Sequence, residues 1–310
     1  MHLRDCLRLR GGIFDGASLL LLPPALLRRG LTTIARAAAS LILGLPVVGR
    51  PADVVKVFIL AGQSNMAGRA PGEELPDYAA AANVAVDYVC SFSRSGLSDR
   101  PEPHRSSGWV ALEPAPKHAS TPGTHFGPEI SLGRTLSARW PQLRIAMIKH
   151  GRGGTSLAVD WNPDATTGPQ LYRELLVQVR SALARLAADG ATAELAAFVW
   201  CQGEADTTRP EWADAYEGNL RNLLASIRGD LSSSSLPVLL VLTNDGRLND
   251  RMIAATPVRS AQRRVAASEP NVTLVSGDDL TLLDTVHYDG PAQLNLGRRL
   301  AESYLANFTP

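Results

Sequence analysis

Five short apolar runs, each separated from the next by a stretch with helical spacing, constrain this chain more than any other feature. They occupy positions 54–60, 143–149, 195–201, 237–243 and 272–275. Before the third run, Tyr172, Leu175, Leu176, Val179, Leu183 and Leu186 recur at steps of three and four, which marks one apolar face of a helix. Ile130, Leu132 and Leu136 suggest another helix, and a closing helix is expected from about 291 to 305, with Pro291 suited to its first turn. Strands alternating with helices in this way predict about five parallel strands in one sheet covered on both faces.

The first fifty residues lie outside that alternation. Arg28-Arg29-Gly30-Leu31, then Ala37 to Leu45, then Gly49-Arg50-Pro51-Ala52 follow the charged, apolar, small-residue order of an export signal. The adjacent arginines suggest the twin-arginine route to the periplasm or the medium. Residues 1–52 are therefore expected to be a leader and 53–310 the working domain; the alternative is an N-terminal helix packed on that domain. A spanning anchor is disfavoured, because Pro46 interrupts an apolar run already shorter than the roughly 20 residues a bilayer requires. With the leader removed, Cys90 and Cys201 remain, either as one disulfide or as two buried thiols. The net charge of +1 and the lack of a basic stripe argue against a nucleic-acid partner. No CxxC or HExxH occurs, so neither a metal nor a cofactor is expected. Residues 69–127, rich in Pro, Gly, Ser and His, show little periodicity and read as a long loop forming one wall of a substrate cleft.

Each polar cluster of note follows one of the runs, and ligands of open α/β sheets bind beyond the carboxyl ends of the strands. Gly62-Gln63-Ser64-Asn65-Met66 puts a serine between a strand and a helix, where backbone N–H groups can stabilise a developing oxyanion. On its own such a serine is more often an N-cap. Lys149-His150-Gly151-Arg152-Gly153-Gly154-Thr155 supplies a glycine turn that lets an N–H approach a substrate oxygen; the spacings of a Walker loop or a dinucleotide fingerprint are missing. In Gln202-Gly203-Glu204-Ala205-Asp206, the Gln202 amide is a further candidate donor to that oxyanion. Glu204 and Asp206 could bind sugar hydroxyls or cap the following helix, with capping or loop-fixing the default for Asp206. Asp284-Thr285-Val286-His287 places a carboxylate three residues before a histidine, so that one ring nitrogen is held and the other presented, as a general base for serine requires.

Together these pieces resemble the sialate O-acetylesterase and acetylxylan esterase group of the SGNH-hydrolase superfamily. The resemblance covers Gly62 to Met66, Gly153-Gly154-Thr155, Gln202 to Asp206 and Asp284 to His287, in the family's order. It implies a three-layer α/β/α sandwich of flavodoxin-like type and a metal-independent esterase acting on O-acetylated carbohydrate. Ser64 would be the nucleophile, His287 the base and Asp284 its orienter. The oxyanion donors would be the Ser64 N–H, a glycine N–H (Gly154 in preference to Gly153) and Gln202. Asn65, Gly153 and Glu204 are candidate substrate contacts. The alternatives are an esterase of lipids or small esters, and a binding protein that has lost its chemistry.

Overall fold

The computed structural model describes residues 53–76, 81–91, 103–116, 123–246 and 248–309. The expected leader lies outside them, as do parts of the 69–127 segment. Strand β1 (Asp53–Gly62) sends Val55, Val57, Ile59 and Ala61 to one face of the sheet and Phe58 and Leu60 to the other, all buried. Burial on both faces explains its nearly unbroken apolar run. The chain continues through α1 (Ser64–Ala67), β2 (Val84–Ser91), α2 (Glu129–Arg139), β3 (Arg144–Arg152), α3 (Leu171–Ala188) and β4 (Ala191–Cys201). It closes with α4 (Pro210–Asp230), β5 (Val238–Val241), α5 (Ala255–Ser268), β6 (Val272–Val275) and α6 (Gly290–Phe308).

The six strands lie in the order β6-β5-β4-β1-β3-β2, parallel throughout. Apolar side chains of α3, α4 and α5 cover one face and those of α2 and α6 the other, giving the expected three-layer sandwich. Taken alone, the five strands read from the sequence run second, first, third, fourth, fifth, which is the flavodoxin order. Helix α6 runs Gly290–Phe308, beginning with the side chain of Asp289 accepting from the Ala292 N–H.

Within residues 69–127 the structure corrects the sequence reading. Strand β2 extends the parallel sheet beyond β3, and two short antiparallel strands, His104–Arg105 and Val110–Ala111, pair with it in turn. Ala70–Pro71, Thr124–Phe126 and Ala115–Pro116 form a separate small sheet. Asp87 in the middle of β2 masked the strand, because a charged residue breaks an apolar run. Its carboxylate is nevertheless buried, accepting from the Gln178 amide at 2.9 Å and pairing with Arg185.

Register settles the cysteine question. Cys90 lies opposite Gly151, Gly151 opposite Gly62, and Gly62 opposite Cys201. Three strand spacings, about 14 Å, separate the two thiols, well beyond disulfide reach. Both are free and buried.

Candidate active site

Strand β1 is central, and the chain crosses to β2 and β3 on one side before β4 opens the other, so the order reverses at its carboxyl end. The turn after β1 is drawn tightly onto the sheet. Gln63 donates its N–H to the Cys201 carbonyl at 3.0 Å, and its own carbonyl accepts from Met66 and Ala67 at 3.0 and 2.8 Å. Only glycine fits beneath this turn: a Cβ on Gly62 (φ +149°) would lie 2.0 Å from the Cys201 oxygen, and one on Gly151 2.5 Å from the Ala67 Cα. Ser64 is the first residue of α1, where a backbone N–H has no intrahelical acceptor, and its side chain is nearly buried.

The loop before α6 brings His287 to that serine. His287 Nε2 lies 2.9 Å from Ser64 Oγ, while Nδ1 lies 2.7 Å from Asp284 Oδ2. Asp284 Oδ1 accepts from the Val286 and His287 N–H groups at 2.7 and 2.8 Å, so one carboxylate shapes both the loop and the ring. With Nδ1–H directed at Asp284, Nε2 is left as the acceptor facing Ser64. Burial pushes Asp284 up, but its bonds to the His287 ring and to the two N–H groups outweigh burial and hold it below the usual carboxylate range. Burial lowers His287 below an ordinary histidine; Asp284 opposes the change, and the charge of Arg69 adds to it. Arg69 Nη1 lies 3.4 Å from His287 Nε2.

Asn65, a candidate substrate contact from the sequence, holds the His287 loop. It is fully buried, and its amide brackets His287: Nδ2 donates to Val286 O at 3.2 Å and Oδ1 accepts from Tyr288 N at 3.2 Å. The same Nδ2 donates to Glu204 Oε1 at 2.8 Å. Glu204 thus braces the clamp from inside, and burial raises its carboxyl pKa. Both residues are held by each other and by the loop. Asn65→Ala is expected to lower kcat about a hundredfold with KM little changed, since misplacing a catalytic group by about 1 Å has that effect. Initial-rate kinetics check this, and an unchanged kcat would show that the loop holds His287 without the clamp.

On the opposite side the expectations divide. Gly153 is buried and donates its N–H to Ser91 O at 3.0 Å. Gly154, at φ +69°, is less buried, and its N–H has no acceptor among the described residues. Gln202 is buried with its amide nitrogen directed at Thr155 O (3.1 Å) and Asp206 Oδ2 (2.5 Å). Both donor hydrogens are engaged by these two oxygens. The buried Asp206 carboxylate is a strong acceptor, already binding Leu157 N and Ala158 N at 2.8 and 3.0 Å. Burial raises its pKa to about 6. Asp206 is thus the loop fixer expected of it, and Gln202 joins the same bracing.

Fold and site define a class: an α/β/α protein with a hydrogen-bonded Ser–His–Asp chain at the carboxyl edge of its sheet. Residues 54–306 match the family of carbohydrate esterases described as sialic acid-specific acetylesterases, and the chain belongs to that family. Membership places it among the carboxylic ester hydrolases and bears out the resemblance carried by the four motifs. It is 28% identical over 275 residues to the probable carbohydrate esterase At4g34215 of Arabidopsis thaliana, covering 85% of this chain and 95% of that protein. The crystal structure of the Arabidopsis protein superposes with a TM-score of 0.59 at 24% identity, over 83% of this chain and 100% of that one. NanS superposes equally well, at 0.59 and 18% identity over 82% and 98% of the two chains. XAC1771, a carbohydrate acetylesterase from Xanthomonas citri, gives 0.55 at 17% identity over 81% of this chain and 56% of its own.

Proposed function

We propose that this protein is a serine esterase that removes O-acetyl groups from a carbohydrate, an acetylated xylan-type glycan or an O-acetylated sialic acid. The continuous chain Asp284–His287–Ser64, with contacts of 2.7 and 2.9 Å, carries the reading. Ser64 Oγ attacks the ester carbonyl as His287 Nε2 takes its proton, and Asp284 stabilises the imidazolium that forms. The oxyanion is received by the N–H groups of Ser64 and Gly154, neither of which has an acceptor among the described residues. His287 then returns the proton to the departing sugar oxygen, leaving acetyl-Ser64, and water repeats the sequence. The family supports the carbohydrate half of the proposal; the NanS and XAC1771 likenesses support the fold on which it runs.

The test is acetate release by the purified protein from acetylated xylan, O-acetylated sialic acid and a chromogenic acetyl ester. Release from one of the glycans is expected and identifies the sugar. Cleavage of the chromogenic ester alone overturns the carbohydrate assignment, and a protein that releases nothing and resists fluorophosphonate labelling at Ser64 is not a serine esterase.

A further inference from the structure

Arg69 was not among the residues singled out in the sequence, yet its guanidinium reaches the atom on which the proposed reaction turns. Nη1 lies 3.4 Å from His287 Nε2, and Nε2 lies 2.9 Å from Ser64 Oγ. A fixed cation in that position opposes the imidazolium that catalysis must form. Two like charges this close, in a site shielded from bulk water, repel strongly. Asp284, on the far side of the ring, offsets part of this, and the Glu204 carboxyl behind Asn65 is the other acidic group bound to the His287 loop through the clamp. A group that hinders the base in isolation belongs in a catalytic site when it favours another partner of the transition state more strongly.

Geometry identifies that partner. Once Ser64 is acylated through a tetrahedral intermediate, the oxygen that leaves must accept the proton from His287 Nε2, so it sits within hydrogen-bond reach of Nε2. Arg69 Nη1 occupies the same neighbourhood. The backbone donors of Ser64 and Gly154 belong to the carbonyl oxygen, which develops its charge elsewhere on the same carbon. Building on the serine-esterase reading above, we infer that Arg69 is a catalytic residue on the leaving-group side, donating a hydrogen bond to the departing sugar oxygen as the carbon–oxygen bond breaks. The proton itself still comes from His287, and the guanidinium gives none up. In deacylation the incoming water takes the position of the sugar oxygen, and Arg69 orients it toward the acetyl carbon while His287 removes its proton. Small sugar alcohols are poor leaving groups and need this help; a nitrophenolate does not.

The inference is tested by kcat/KM, which reports acylation alone, for Arg69→Met and Arg69→Lys on an acetylated sugar and on p-nitrophenyl acetate. With the sugar ester, R69M is expected to fall about a hundredfold, the loss typical of one charge-stabilising donor, while p-nitrophenyl acetate changes little. R69K, which keeps the charge without the planar fork, falls between wild type and R69M on the sugar ester. With p-nitrophenyl acetate, the acidic limb of the kcat/KM profile moves to higher pH in R69M, because removing the cation makes His287 easier to protonate. Equal losses on both esters with an unmoved acidic limb would reduce Arg69 to a structural residue, and undiminished sugar cleavage would remove it from the reaction. If the wild-type protein cleaves neither ester and Ser64 resists labelling, the serine-esterase reading fails first, and the two failures are thereby distinguished.

Discussion

Replacing Ser64 by alanine is expected to lower kcat by about a millionfold, with His287→Ala giving a loss of the same order and the double variant little more than either alone. Non-additivity follows from the proposed mechanism: Ser64 Oγ and His287 Nε2 share one hydrogen bond at 2.9 Å, and in that mechanism neither group acts without the other. Asp284→Asn keeps the shape of the loop but weakens control of the ring tautomer, so a loss of about ten-thousandfold is expected. Folding should be nearly untouched by Ser64→Ala, since a single hydrogen bond is worth about 1 kcal/mol. Steady-state kinetics and thermal melting on the same preparations check all four variants. Losses of less than a hundredfold for Ser64→Ala, or strictly additive losses in the double variant, would place the nucleophile elsewhere.

The largest expected effect on stability lies beneath the same turn. Lys149 Nζ is 2.7 Å from Glu129 Oε2, with the two side chains only 2% and 4% exposed. Lys149 also donates to Ala67 O at 2.9 Å, and Glu129 Oε1 accepts from Gly127 N at 3.1 Å. This pair ties β3, the end of α1 at Ala67 and the start of α2 together. Lys149→Met is expected to destabilise the fold by about 3–5 kcal/mol, because it strands the Glu129 carboxylate in a place water cannot reach. Adding Glu129→Gln should recover a large part of that, since the neutral amide removes the uncompensated charge. Urea unfolding monitored by circular dichroism measures both. A loss below about 1 kcal/mol for the single variant is the size of an exposed ion pair and would mean that the site is solvated.

Much of this architecture was legible before the structure. Strands buried on both faces have to be apolar along their length, and helices that cover them have to carry an apolar stripe, so both announce themselves in one dimension. Sequence could also place Ser64, the glycine turn, Gln202 and the Asp284–His287 pair at the carboxyl edge, because each cluster directly follows a run. Among the described residues, the core strand it missed, Val84–Ser91, carries Asp87 where an apolar residue was expected; the charge is tolerated because Gln178 and Arg185, some ninety residues away, reach it.

By itself, then, the sequence determined the layers of the fold and which turns meet at its edge, since these follow from burial periodicity and chain order. Only the tertiary structure decided what each polar group in those turns does. Gln202 donates to Asp206, Gly153 is held by Ser91, Asn65 grips the His287 loop with Glu204 behind it, and Arg69 stands beside the His287 ring. A donor goes to the strongest acceptor within about 3 Å, and that competition is settled in space, between residues whose separation along the chain carries no record of it.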